Sequence, residues 1–219
     1  VVVDKFNIEI AREDLQTLAP RQWLNDEIVN FYLQLVAERA KTQSEALFIA
    51  SPSASSATST PTFPKVHCFN TFFRKKLIDK GYAGVKKWTK KVDIFAQELI
   101  LIPCHLGMHW TLAAIHVPDK IIAYYDSMHK EDHTTVTALS DYLAEEHLEK
   151  KKEPLDMSQW RIVFEMDCPA QMNGYDCGVF TIMAAEFLSR NAPLTYAQQD
   201  MQMLRRKIIL EISEGKLVP

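Results

Sequence analysis

Gln171-Met172-Asn173-Gly174-Tyr175-Asp176-Cys177-Gly178 runs directly into Val179-Phe180-Thr181-Ile182-Met183-Ala184-Ala185-Glu186-Phe187. Val179, Met183 and Phe187 recur at i, i+4 and i+8, flanked by Phe180 and Ala184. The spacing predicts a helix over 178–190 with an apolar face wide enough to be buried. Cys177 then falls at its first turn, where aligned peptide dipoles and unpaired N–H groups favour a negatively charged sulfur. Position alone makes Cys177 a candidate nucleophile. Gly174 and Gly178 are expected to permit a tight entry and the close approach of a substrate backbone. A small, buried, apolar Cys177 is the competing reading, and the helix position by itself leaves it open.

Working upstream, residues 99–103, 110–117 and 121–125 are short β-branched or aromatic runs, the last two separated by Pro118-Asp119-Lys120. They read as strands, the last pair as a hairpin. His109 starts one hairpin strand and Asp126 follows the other, within about two or three positions of cross-strand register, so the carboxylate is in reach to orient the imidazole. Taken singly, each has an ordinary reading: a structural histidine, and a turn aspartate before Ser127. His105 and His109 also have the i, i+4 spacing of zinc-binding helices. Glu is absent from the second position of that motif, and Pro103 and Gly107 oppose a helix, so no metal and no other cofactor is expected.

Farther out, Asn25 or Asp26 caps an apolar pattern through Ile28, Phe31, Tyr32, Leu35 and Val36, which predicts a helix over 26–41. A second helix is expected over 69–80, broken by Gly81-Tyr82-Ala83-Gly84, and a third over 136–148. Residues 161–164 read as a fourth strand. A last helix over 196–212 carries Met203, Ile208 and Ile209, with Arg205-Arg206-Lys207 placed on its solvated side. Helices and strands mix without βαβ regularity, so the class is α+β.

With 219 residues, 47% of them hydrophobic, the chain has enough apolar material for one well-packed core without a disulfide or metal staple. A net charge of −3 is too small, and of the wrong sign, to grip nucleic acid or an anionic membrane. No run approaches the roughly 18 apolar residues of a membrane span. The opening Val-Val-Val-Asp-Lys resembles neither a signal peptide nor a natural initiator, so a fragment of something longer is expected. Cys68, Cys104, Cys168 and Cys177 form no CxxC pair and read as reduced thiols of an intracellular protein. Residues 51–62 hold five Ser, three Thr, two Ala and two Pro, the composition of a flexible surface insertion, placed at about 49–64. Lys86-Lys87-Trp88-Thr89-Lys90-Lys91 reads first as a solvated face, with a localisation patch or partner surface as alternatives.

Taken together, Trp-Leu-Asn-Asp at 23–26, Phe-Asn-Thr-Phe-Phe at 69–73, Lys-Trp-Thr-Lys-Lys-Val-Asp at 87–93, His109-Trp110, Tyr-Asp-Ser at 125–127 and Gln171 through Gly178 closely resemble the SUMO proteases. These are the ubiquitin-like-protein-specific, or sentrin-specific, cysteine peptidases. The resemblance spans about residues 6–216 in one order. It implies a papain-like architecture, a central mixed sheet flanked by helices, in a single catalytic domain over 1–219. It carries the family's triad onto His109, Asp126 and Cys177 and its oxyanion-hole glutamine onto Gln171. Trp23 and Trp110, which composition alone would read as core aromatics, become walls of a narrow channel over a Gly-Gly tail. Asp26, Phe72, Lys87, Trp88 and His105 match the family's protein-binding face. Lys87 replaces an arginine of some relatives, which weakens a bidentate contact to a point charge.

The implied activity is cleavage after the C-terminal Gly-Gly of SUMO, in the precursor and in lysine conjugates. The implied partners are therefore the SUMO precursor and SUMO-conjugated proteins. A monomer is expected, acting in the nucleus or at its envelope. A protease for another ubiquitin-like protein such as NEDD8 is the alternative. A SUMO-binding module without catalysis and an acyltransferase on the same nucleophile fold come from a different class. The intact triad argues against the first, and the lack of a basic pocket for a nucleotide cofactor against the second.

Overall fold

A computed structural model describes residues 1–50 and 63–218. The Ser/Thr-rich stretch 51–62 lies outside the described residues. In chain order the elements are β1 (Val3–Lys5), β2 (Ile8–Ile10), α1 (Arg12–Gln16), α2 (Asp26–Ala50), β3 (Val66–Cys68), α3 (Phe72–Val85), β4 (Leu99–His105), β5 (Trp110–His116), β6 (Ile121–Tyr125), α4 (His133–Lys151), β7 (Arg161–Phe164), α5 (Cys177–Leu188) and α6 (Met201–Glu214). β1 and β2 form a small hairpin, and the other strands form one sheet in the order β3-β4-β5-β6-β7. Its centre is an antiparallel meander, and each edge strand pairs parallel with its neighbour. This is a mixed sheet within an α+β fold.

Burial on both faces explains why β4 and β5 read as continuous apolar runs rather than alternating ones. Leu99, Leu101, Leu112 and Ala114 face a core shared with α2, α5 and α6. Ile100, Ile102, Ala113 and Ile115 face the opposite core, which α3 and α4 cover. Register fixes what happens at the end of the meander. His105 pairs with Trp110 and Leu112 with Tyr125, so His109 and Asp126 both emerge just beyond the last paired residues of β5 and β6.

Several boundaries differ from expectation for local reasons. α2 starts at the cap, where the Asn25 side chain accepts the Ile28 N–H, but it runs to Ala50 rather than 41. α3 starts at Phe72 because the Phe69 N–H is still bonded to Leu101, and the Phe72 N–H is taken by the Asn70 side chain. Gly81 does not end α3. Its left-handed φ of 61° kinks the chain, which then re-enters a helical turn up to Val85. α4 is longer than predicted, beginning at His133 under the Asp132 cap and ending where Lys152 turns left-handed.

The largest correction concerns α6. Its buried side is Met201, Leu204, Arg205, Ile208 and Ile212, whereas Met203 is exposed. Arg205 was expected in solvent and is 4% exposed, because a fan of oxygen acceptors surrounds it. The glycine pair also divides. A Cβ on Gly178 would meet Leu24 Cβ and Cγ at 2.9 Å, so only glycine lets α5 lie this close to the segment after Trp23. At Gly174 a Cβ would meet nothing within 4 Å, and what that residue supplies is its carbonyl.

Gly178→Ala is therefore expected to act as an overpacking change, costing about 1–3 kcal/mol. A fall of several degrees in the thermal unfolding midpoint checks it, and an unchanged midpoint would contradict the steric account.

Candidate active site

Cys177 is the first residue of α5, 2% exposed, on a helix that is buried from end to end of its first ten residues. α5 lies against β5, and so its N-terminus meets the end of the sheet where His109 and Asp126 emerge. His109 Nε2 and Asp126 Oδ1 are 2.6 Å apart. With Nε2 turned to the carboxylate, Nδ1 is the ring nitrogen left for the Cys177 sulfur, which also favours the charged imidazole. Burial works against charge on His109, but the bond to Asp126, its negative charge and the neighbouring Cys177 sulfur outweigh it and raise its pKa from 6.5 to about 9. Burial likewise opposes ionisation of Asp126. The His109 bond and the Met128 N–H at 2.8 Å overcome it, and the carboxyl lies below its usual range. Near neutral pH the imidazole is thus a cation between a carboxylate and the sulfur.

Gln171 reaches the same place by a route that its sequence position does not show. Its backbone N–H donates to the Ser127 carbonyl at 2.8 Å, and its Oε1 accepts the Ser127 hydroxyl at 2.6 Å. Nε2 donates one hydrogen to the Asn173 carbonyl at 2.5 Å, which leaves the other for a further acceptor. Adjacent residues thereby orient two different groups: Asp126 the imidazole and Ser127 the amide. Ser127 was not singled out from sequence, although its place beside Asp126 was the available signal.

The two tryptophans divide. Trp110 is buried and donates its indole N–H to the Leu24 carbonyl at 3.0 Å, while Trp23 is 43% exposed and donates to the Gly174 carbonyl at 2.7 Å. Trp23 therefore bridges from the segment before α2 to the loop before Cys177. Exposed His105 stacks at a tilt on Trp110, with ring centroids 4.4 Å apart. Asp26 is the half-buried first residue of α2. Phe72 and Lys87 are exposed at the start of α3 and just after its end. Trp88 is half-buried, its ring 5.4 Å from Phe73, so it belongs partly to the core beneath it. The lysine-rich turn is not a wholly solvated face. Thr89 is 1% exposed and donates to buried Glu146, which also accepts from Tyr82, and the Lys150 ammonium reaches the Thr89 carbonyl.

The residue before the nucleophile has the most complete set of partners. Asp176 Oδ1 accepts from Arg205 Nε at 3.0 Å and from its Nη2 at 2.8 Å. Oδ2 accepts from Asn173 Nδ2 and Gln198 Nε2. The same guanidinium donates to the carbonyls of Thr17, Ala19, Gln22 and Tyr175. Neither partner of this pair was anticipated.

Among the described residues, no group of three or more His, Cys, Asp and Glu is placed to hold a metal ion, and no helix is long and apolar enough to cross a membrane. What is assembled instead is a sulfur at a helix N-terminus, an imidazole able to move a proton, a carboxylate orienting it and an amide with a free N–H. Such a set is chemically able to carry out acyl transfer through a covalent thioester, as in thiol hydrolases with papain-like geometry.

Comparison with known proteins defines the family. Residues 22–216 match the model of the Ulp1 protease family, C-terminal catalytic domain, and the chain belongs to that family. It is 42% identical over 216 residues to a sentrin-specific protease of Caenorhabditis elegans, covering 99% of this chain and 29% of the relative. Against human sentrin-specific protease 2 the identity is 37%, covering 100% of this chain and 34% of the relative. The chain thus spans about a third of the length of these curated relatives. The crystal structure of the C-terminal Ulp1 protease domain in complex with Smt3, the yeast ortholog of SUMO, superposes with a TM-score of 0.76 at 30% identity. That match covers 98% of this chain and 87% of the other.

The remaining thiols are chemically quiet. Burial pushes Cys68 and Cys104 up to about 12 and Cys168 to about 11. Limiting iodoacetamide at pH 7 is therefore expected to modify Cys177 alone, and markedly more slowly in His109→Ala. Peptide mass spectrometry showing label spread over Cys68, Cys104 or Cys168 would contradict the assignment.

Proposed function

We propose that residues 1–219 form a single catalytic domain that cleaves after the C-terminal Gly-Gly of SUMO, maturing the precursor and releasing SUMO from lysine conjugates. The observation that carries this reading is the 2.6 Å His109–Asp126 pair beside Cys177 at the α5 N-terminus, in a chain of the Ulp1 protease family. The cysteine sulfur attacks the carbonyl carbon of the last glycine. Gln171 Nε2 and the Cys177 backbone N–H receive the developing oxyanion. His109 gives its proton to the departing amine as the C–N bond breaks, leaving a thioester. Water then attacks, its proton passing to His109, and the C–S bond breaks to return the thiol. Asp126 keeps Nε2 engaged throughout, so Nδ1 is the atom that exchanges protons.

Substrate choice rests on residues around the nucleophile and on the face beyond them. Trp23 and Trp110 flank the approach to Cys177, where a tail without Cβ atoms fits best. Asp26, Phe72, Lys87, Trp88 and His105 supply the face for the body of SUMO. The partners are then the SUMO precursor and SUMO-conjugated proteins, met by a monomer. The proposed site of action is inside the cell, in the nucleus or at its envelope.

Incubation of wild-type and Cys177→Ser protein with a SUMO precursor, a NEDD8 precursor and an electrophilic SUMO C-terminal probe tests the reading on one gel. Expected are cleavage of the SUMO precursor and covalent capture of the probe, both lost in Cys177→Ser. Cleavage of the NEDD8 precursor alone would transfer the assignment to that protein, and SUMO binding without cleavage would sink the catalytic reading.

A further inference from the structure

We propose that Arg205 is a positioning residue for the oxyanion site: it draws the Asp176 carboxylate away from the N-terminus of α5 and keeps its negative charge off the first turn of that helix, where the oxyanion of the reacting carbonyl develops. The inference rests on the reading of Cys177 as an acyl-transfer nucleophile and adds a group that acts without touching substrate.

Asp176 occupies the N-cap position of α5. An aspartate there ordinarily folds its side chain onto the N–H groups of the second or third helical residue, satisfying amides that have no partner within the helix. Here it does not. Asp176 has φ −92° and ψ −1°, outside the extended conformation usual for a cap, and its side chain makes no cap hydrogen bond. The first backbone bond of the helix runs from the Phe180 N–H to the Asp176 carbonyl at 3.0 Å. The side chain is turned the other way, onto Arg205, and its second oxygen is held by Asn173 and Gln198.

Arg205 is built for this task rather than for a surface ion pair. It is 4% exposed, and its Nε and both terminal nitrogens donate into the cluster. Four backbone carbonyls fix the plane of the guanidinium, so the fork presented to Asp176 has a set direction. One of them belongs to Gln22, the neighbour of Trp23, and another to Tyr175. The span between the tryptophan wall and the nucleophile loop is thus held twice, by Arg205 on the inside and by the Trp23 bond to Gly174 on the outside, and the second hold remains when Arg205 is changed. Were Arg205 lost, Asn173 and Gln198 would still hold Oδ2, but Oδ1, one residue from Cys177, would have no partner and could turn to the vacant amides of the first turn. It would then cap the Gly178 or Val179 N–H and place a negative charge beside the Cys177 N–H, where negative charge must develop.

The test separates oxyanion stabilisation from simple loss of structure. Arg205→Lys keeps the charge but not the fork, and its kcat on the SUMO precursor is expected to fall by about 10-fold or more, as for loss of an oxyanion donor. KM and the rate of Cys177 alkylation by iodoacetamide, which forms no oxyanion, are expected to stay within about 3-fold. Affinity for a SUMO C-terminal aldehyde, whose thiohemiacetal presents the oxygen, should drop in parallel with kcat. In an Arg205→Met background, adding Asp176→Ala removes the competing carboxylate and should recover part of the lost kcat. The proposal is overturned if alkylation falls as far as kcat, if aldehyde affinity is unchanged, or if Arg205→Met/Asp176→Ala is no better than Arg205→Met. A wild-type protein that neither cleaves the precursor nor binds the aldehyde would instead overturn the reading on which the proposal rests, and the proposal with it.

Discussion

A single buried ion pair, Asp176 with Arg205, holds together the segments from which the site is made. The guanidinium, carried by α6, stands where that helix meets residues 17–22 and the loop before Cys177, and it bonds both. Removing one partner from such a pair typically costs about 3–5 kcal/mol, because the other charge is left buried and alone. Burying both is tolerable here only because the remaining donors and acceptors are filled as well. The loop, the entry to α2 and the last helix are therefore positioned relative to one another by directional bonds, which apolar packing alone would leave free to slide.

The sheet supplies the other half of the constellation. Because β5 and β6 are in register up to Leu112 and Tyr125, His109 and Asp126 leave the sheet side by side. Their bond then decides the charge of the imidazole. Desolvation by itself would favour the neutral ring, and the combined pull of Asp126 and Cys177 is larger, so the value moves up rather than down. This also fixes the sign of the linkage to stability. A pKa of about 9 in the fold, against 6.5 ordinarily, means that the bonds of His109 stabilise the protein fully below about pH 6.5, and that this contribution is lost as pH rises through about 9.

The legible part of this molecule was what depends on local pattern. The strands of the meander, the buried helix after Cys177 and a cap at Asn25 or Asp26 each declare themselves by run, period or residue type, and the Ile28 N–H bond selects Asn25. His109 and Asp126 became a pair only through the hairpin, and the family resemblance gave them roles. Arg205 was hidden because an Arg-Arg-Lys run on an amphipathic helix looks solvated, while several of its acceptors are backbone carbonyls more than 180 positions earlier in the chain. Ser127 and Glu146 were hidden for the same reason: their partners, Gln171 and Thr89, become neighbours only through the tertiary fold. Only part of the place of Trp88 was legible: in a lysine-rich turn it reads as a surface residue, and its half-buried ring also leans on Phe73.

The most direct test of the account is an NMR titration of the His109 ring. The account predicts that His109 stays protonated well above neutrality and titrates near 9. In Asp126→Asn and in Cys177→Ala the midpoint should move down, because each substitution removes a bond to the charged ring. A wild-type midpoint near the ordinary 6.5, unmoved by either substitution, would contradict the claim that carboxylate, imidazolium and sulfur act as one unit.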